Sequence, residues 1–389
     1  MEHRQNNTLA FCLFRYFPYG GQQRDMLRIA LACQKRGHAI HIYTTRWVGD
    51  VPDGFTLHRH RPHRLTNHGR MREYHAWLTR ELARQKIACV VGFNKMPGLD
   101  VYFAADGCYV QQARRKHTLF SRLTGRHRVY ARFEEAVFAP DATTEILLIA
   151  EPQRAEFEDT YHTPPERMHL LPPWISADRT MPQDRQQTRR DVRGKFRLGE
   201  GDFLLLQVGS DFKRKAVDRT LQGLASLPQP LRARAKLAIA GLASSRRYRR
   251  LATTLGIVEN VVFLGPRDDV TDLMIGSDLL LHPARSEPAG VVLIEAMFYG
   301  LPVLCSGACG HAGHIRRACG GRVLPEPFEQ SQLNRALLEM LTAGELPSYG
   351  ARARAYVDGI DVYAMPEHAG DLIEAVAARR LNRPAGQCL

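Results

Sequence analysis

Short apolar runs alternate with helix-periodic stretches along almost the whole chain, and that alternation constrains the fold more than any other feature. Leu9–Phe14, Ile40–Thr44, Ala88–Phe93, Val101–Ala104 and Glu145–Ala150 have the length and continuous apolarity of strands buried on both faces. Helical patterns lie between them at Gln22–Arg36, where Gly37 is a plausible stop, and at Arg70–Lys86. A further helix runs from the fifth strand to about Tyr161. Pro172-Pro173 and the polar stretch Ser176–Arg193 then interrupt the pattern, and the interdomain linker is placed there. The series restarts with strands at Phe203–Val208, Lys236–Ala240, Val261–Leu264, Leu279–His282, Pro302–Cys305 and Arg322–Leu324. Helices fall at Ala216–Ser226, Ser245–Leu255, Asp268–Ile275, Val291–Gly300 and near Glu329–Leu341. Two such βαβ series predict two Rossmann-like α/β domains with parallel sheets facing a central cleft, where ligands bind beyond the carboxyl ends of the strands. The expected division is 1–172, 173–365 and a helical segment 366–389 that packs back on the first domain.

At 389 residues the chain is long enough for two cores. With 44% hydrophobic and 24% charged residues it is not a disordered, collagen-like or coiled-coil protein. No apolar run reaches the 18 or so residues of a membrane span, and MEHRQNNTLA shows no apolar core of a secretory signal. Its eight scattered cysteines, none in a CxxC pair, are expected to be reduced core residues of a cytoplasmic protein. The net charge of +14 calls for an anionic partner: nucleic acid, an acidic membrane surface or a phosphorylated substrate.

Several segments carry candidate chemistry. Gly20 and Gly21, in the turn that opens the first helix, let a ligand approach the backbone and the helix N-terminus; an ordinary βα turn has the same composition. Gly209-Ser210-Asp211-Phe212-Lys213-Arg214-Lys215 follows the first strand of the second series, where basic side chains suit a diphosphate; a solvated charge run is the competing interpretation. The segment Ser286–Ala296 carries Glu287 and, eight residues on, Glu295, joined by a Gly-containing helix start whose N–H groups would take phosphate oxygens. If the helix begins near Ala289, Glu295 lies about 9 Å along it. Asp106 stands at the end of a strand-like run as a lone carboxylate in an apolar setting, or as a cap or turn residue. Gln111–Phe133 holds Arg114, Arg115, Lys116, Arg122, Arg126, Arg128 and Arg132 with no acid among them and apolar residues interleaved, a pattern of membrane-surface segments and also of solvated basic faces. His58, His60, His63 and His68 lie among arginines without the partners of a metal site, so no metal is expected there, and a basic patch for a phosphorylated acceptor fits better.

The order of these motifs resembles that of the retaining glycosyltransferases of two-Rossmann (GT-B) fold. FCLFRYFPYGGQQRD, TNHGR, VGFNKMPGLDVYFAAD, LQVGSDFKRKAVDR, DLLLHPA and EPAGVVLIEA are similar to the lipopolysaccharide-core glucosyltransferases within that group, over about Leu9–His368. The resemblance implies transfer of glucose from UDP-glucose to a heptose of the lipopolysaccharide inner core, in α-1,3 linkage, with no cofactor and no metal. It implies that Arg214 and Lys215 neutralise the diphosphate, with Gly20, Gly21 and Gly209 against the donor. Glu287 would hold the transferred sugar and Glu295 the ribose, with the N–H groups of Gly290, Val291 and Val292 between them. Arg179 would reach the donor from the linker side, Arg267 would sit at the nucleobase loop, Asp106 would face the sugar, and Asp25 would lie near the acceptor. The Arg114–Arg132 segment would contact the cytoplasmic face of the inner membrane. Lys213, Ala216 and Pro288 depart from the family pattern without removing a proposed ligand. UDP-galactose, a UDP-N-acetylhexosamine or ADP-heptose is an alternative donor. A nucleic-acid-binding protein would explain the charge but neither E-x7-E nor the paired βαβ series, and no nucleic-acid motif is present.

Overall fold

The computed structural model describes residues 7–18, 20–116 and 124–381, the side chains of residues 115 and 116 excepted. The chain divides into two compact units, one formed by Met1–Pro172 with Ala364–Leu389, the other by Pro173–Tyr363.

The first unit holds a parallel sheet in the order β5-β3-β1-β6-β7-β8-β9. Its strands are β1 (Thr8–Cys12), β3 (Ala39–Thr44), β5 (Phe55–Arg59), β6 (Cys89–Gly92), β7 (Val101–Ala104), β8 (Glu145–Leu148) and β9 (Met168–Leu170). A two-stranded parallel ribbon, β2 (Arg15–Tyr16) with β4 (Arg46–Trp47), extends β1 and β3 at their carboxyl ends. Helix Gly21–Lys35 buries Met26, Ile29, Ala30 and Cys33, an i, i+3, i+4, i+7 stripe. The C-terminal helix Met365–Leu381 packs on it and on β6, and buries Met365, Ala369, Ile373 and Ala377. Arg36 bonds Glu367 at 2.7 Å and Asp371 at 2.7 Å, and Gly370 leaves room for that guanidinium, because a Cβ there would lie 3.0 Å from its Cζ.

The second unit holds a six-stranded parallel sheet, β12-β11-β10-β13-β14-β15. Its strands are β10 (Phe203–Val208), β11 (Ala235–Ala240), β12 (Val261–Gly265), β13 (Leu279–His282), β14 (Val303–Ser306) and β15 (Gly321–Leu324). Successive residues serve opposite faces. Leu204, Leu206 and Leu280 belong to one hydrophobic core, and Leu205, Leu279 and Leu281 to the other. In each sheet the strand order reverses once, between β1 and β6 and between β10 and β13, and the loops after those strands define the ligand-facing position of such folds.

Three expectations need correction. The stretch Ser176–Arg193 is not all linker: Arg185–Lys195 is a helix of the second unit. Its one buried apolar residue, Val192, and the ion pairs of Arg189 and Arg193 with Asp278 attach a face whose composition reads as solvated. The basic segment Gln111–Phe133 is not continuous, since its described parts fall on two helices, Tyr109–Lys116 and Gly125–Phe138. Cys319 is exposed, whereas Cys12, Cys33, Cys89, Cys108, Cys305 and Cys309 are buried and free; Cys388 lies outside the described residues.

Candidate active site

The loops after β10 and β13 bring the second unit's candidates together. Gly209 leaves β10 at φ +149°, and a Cβ there would lie 2.8 Å from the Lys215 Cε, so a bare backbone lets the lysine stem lie across the turn. The chain then winds through Asp211–Lys215 to Ala216, whose φ of 55° starts helix Val217–Ala225. Gln207 Nε2 donates to the Lys215 carbonyl at 2.8 Å, and Arg285 N to the Arg214 carbonyl at 2.8 Å. Both basic residues therefore sit on a turn fastened to β10 below and to the β13 loop opposite.

Glu287 is fastened just as closely. Its N–H donates to the Ala308 carbonyl at 3.1 Å, and its own carbonyl accepts from Gly310 N at 2.9 Å. The nearly buried carboxylate accepts from Lys215 Nζ and, at 3.0 Å, from Arg214, while His282 Nε2 stands 3.7 Å away. Burial pushes the Glu287 carboxyl up, but His282, Lys215 and Arg214 outweigh it and hold the group well below the usual carboxylate range. Burial and Lys215 together keep His282 below the ordinary histidine value. Gly290, at φ +88°, then turns the chain into helix Val291–Phe298. The first N–H groups of a helix have no carbonyl partner one turn back, a property that makes a helix start suited to an anion. Farther along the helix Glu295 pairs with Arg179 at 3.2 Å, and Tyr363 Oη donates to the Arg179 carbonyl at 2.8 Å. Arg267, by contrast, is ion-paired with its near neighbour Asp269.

His282 and Asp211 were not singled out from the sequence. Asp211 stands 3.6 Å from Arg214. The signal for His282 was its position as the last residue of the strand at the switch point, which a chain-wide search for His spacing passes over.

In the first unit, Gly20 has extended backbone and caps helix Gly21–Lys35. The space beside Gly21 is open, as an approaching ligand requires, since a Cβ there would meet nothing within 4 Å. Gln22 donates to the Phe93 carbonyl, and Phe14 N to Asn94 Oδ1 at 2.7 Å, so the loops after β1 and β6 are tied together. Asp25 faces inward, with Arg28 at 3.4 Å. Asp106 is exposed, which corrects the apolar setting expected for it; the burial lies instead one helix away, at Glu134. That fully buried carboxylate accepts from Lys95 Nζ, from Tyr109 N at 2.7 Å, from Val110 N at 2.9 Å and from Tyr161 Oη at 2.8 Å. It anchors the first turn of helix Tyr109–Lys116. Arg114, Arg126, Arg128 and Arg132 are exposed; Arg122 lies outside the described residues, and the side chains of Arg115 and Lys116 are not described.

The histidines do not converge. His58 stacks on Tyr43 at 4.5 Å and meets His41 at 3.2 Å, while His60 stacks on Trp77 at 5.2 Å and pairs with Glu73 at 3.4 Å. Among the described residues no group of three or more His, Cys, Asp or Glu side chains is placed to hold a metal ion, and no helix is long and apolar enough to cross a membrane.

Comparison with known proteins places this geometry. Residues 188–355 match the glycosyl transferases group 1 family, and residues 19–179 match glycosyltransferase family 4. The lipopolysaccharide glucosyltransferase WaaG of Escherichia coli (strain K12) is 46% identical over 366 residues, which are 94% of this chain and 98% of that protein. The crystal structure of WaaG, a glycosyltransferase involved in lipopolysaccharide biosynthesis, superposes with a TM-score of 0.87 over 94% of this chain and 99% of that one. A sucrose-phosphate synthase from Thermosynechococcus elongatus, at 16% identity, shares the fold with a TM-score of 0.76 over 96% of this chain and all of that one.

Proposed function

This chain belongs to the lipopolysaccharide glucosyltransferase family of GT-B fold, and we propose that it transfers glucose from UDP-glucose to a heptose of the lipopolysaccharide inner core with retention at the anomeric carbon. The observation that carries the proposal is the cluster of Lys215, Arg214 and Glu287 at the strand-order switch of the second unit.

In this reading Lys215 and Arg214 meet the diphosphate, together with the N–H groups of Gly290, Val291 and Val292. Negative charge grows on the diphosphate as the glycosidic bond breaks, so preorganised cations and N–H groups stabilise the transition state more than the bound donor. Glu287 is ionised and accepts hydrogen bonds only, which suits the hydroxyl groups of the transferred sugar. Glu295, oriented by Arg179, serves the ribose in the same way, and Arg267 stands at the nucleobase loop. Gly20 and Gly21 lie against the donor from the first unit; Asp106, in solvent at the end of β7, is free to meet the sugar or the incoming hydroxyl, and Asp25 lies near the acceptor. The departing diphosphate oxygen takes the acceptor's proton on the face from which it leaves. No metal or cofactor has a part in this scheme. The protein would work from the cytoplasmic face of the inner membrane, held there peripherally by the basic surface of helices Tyr109–Lys116 and Gly125–Phe138.

The test is UDP release by purified protein from a panel of UDP- and ADP-sugars, with and without heptose-terminated core lipopolysaccharide. Release from UDP-glucose that depends on that acceptor is the expected result. Release from another donor changes the sugar, and no turnover with any donor removes the assignment.

A further inference from the structure

Three neighbouring strands of the first sheet, β1, β3 and β5, run out at one cavity of about 780 Å³. Arg15, Arg46, Arg59, Arg61 and Arg70 line it, with Trp47, and no Asp or Glu does. Among the described residues none of these five guanidinium groups is ion-paired with a carboxylate. The Glu73 carboxylate on helix Asn67–Leu82 is already engaged by the backbone N–H groups of His63, at 3.0 Å, and Arg64, at 3.1 Å.

The ribbon sharpens this concentration of charge. Its parallel register pairs Arg15 with Arg46 and Tyr16 with Trp47. Like charges on adjacent strands oppose the pairing, and among the described residues no carboxylate neutralises these two; Arg15 only lies over the Phe14 ring, at 5.5 Å. The neighbouring rings stack at 3.7 Å, which gives the cavity a rigid aromatic wall beside its cations. Arginine forks match the paired oxygens of phosphate and carboxylate, and a concave site with one sign of charge concentrates the complementary ion. Aromatic rings pack on the C–H faces of pyranoses. A recessed pocket suits a discrete charged saccharide better than the plane of a membrane.

We propose that this cavity binds the anionic groups, phosphate or carboxylate, of the acceptor saccharide. The inference rests on the transferase reading above and adds that the acceptor is selected by its charge and not only by the hydroxyl that receives the sugar.

The experiment is calorimetric titration of the full chain with deacylated core oligosaccharide that keeps its phosphates, with the same material after phosphatase, and with its carboxylates amidated. The double variant Arg46→Gln with Arg61→Gln changes exposed side chains and should melt with the wild type. Its Kd for the untreated oligosaccharide should rise at least tenfold while its Kd for UDP stays constant. Weakening by phosphatase identifies phosphate as the recognised group, and weakening by amidation identifies carboxylate. An unchanged Kd in the double variant overturns the proposal, as does a wild type indifferent to both treatments. It also falls if the substitutions weaken binding only to phosphatidylglycerol vesicles. Arginine-dependent binding by a protein that releases no nucleotide from any UDP- or ADP-sugar would remove the transferase reading and leave the cavity its ligand; turnover without that dependence would do the reverse.

Discussion

Lys215 and Glu287 show how one ion pair serves both structure and chemistry. Both side chains are almost buried, and their mutual contact offsets the cost of taking them out of water. Lys215→Ala should lower the rate of UDP release at least tenfold, about 1.4 kcal/mol of transition-state stabilisation, with the melting temperature recorded alongside to separate catalysis from folding. Full activity would exclude Lys215 from phosphate binding. His311 supplies a second prediction. Burial, with His314 adding to it, pushes its pKa down to about 3, and neither ring nitrogen has a hydrogen-bond partner among the described residues. Its unfolded value is near 6.5, so the unfolded chain binds the extra proton between those limits, and stability falls as pH drops below about 6.5. His311→Leu should flatten that slope between pH 5 and 6.5 by up to about 1.4 kcal/mol per pH unit, read from denaturant melts. The window lies above ordinary carboxylate titration, so Glu287, held ionised there, does not contribute.

At the scale of elements, the turn into helix Val291–Phe298 decides whether the second unit's site exists. Gly290 holds φ +88°, and a Cβ there would also stand 3.3 Å from the Glu287 Cγ. Gly290→Ala should cost about 1–2 kcal/mol of stability and raise the KM for the UDP-sugar, seen by thermal melts and donor titration. A normal KM would mean that the N–H groups of this turn do not touch the donor. This turn was legible beforehand, because a strand, a Gly-containing loop and an apolar helix follow one another in sequence. Helix Arg185–Lys195 was not, because one buried valine and two arginine–aspartate contacts hold it, and neither leaves a periodic apolar trace. Glu134 was missed for a related reason: one of two adjacent acids in an amphipathic helix looks solvated until the fold places Lys95, Tyr161 and two N–H groups around it.

For the whole molecule, the governing quantity is the net charge of +14. Much of it is exposed in the first unit, at Arg114, Arg126, Arg128 and Arg132 and around the cavity beyond β1, β3 and β5. Vesicles containing phosphatidylglycerol should therefore sediment the protein, with an affinity that falls as salt rises from 0.05 to 0.5 M, since the Debye length shrinks from about 14 to about 4 Å. Equal binding to neutral and anionic vesicles would refute an electrostatic attachment.

The amino-acid sequence alone determined most strands of the two parallel sheets, though not β5 or the β2–β4 ribbon, with the places where those strands end and the Gly, Lys, Arg and Glu residues that follow. These are properties of hydrophobic period and of neighbours in the chain, which do not depend on what packs where. Only the tertiary structure decided that Glu287 is ionised between Lys215 and Arg214, and that Asp106 faces solvent while Glu134 is buried. It alone brought five arginines from β2, β4, β5, the loop after β5 and helix Asn67–Leu82 around one cavity. The strength of a charge interaction depends on distance and on the surrounding dielectric, and both are set by residues far away along the chain.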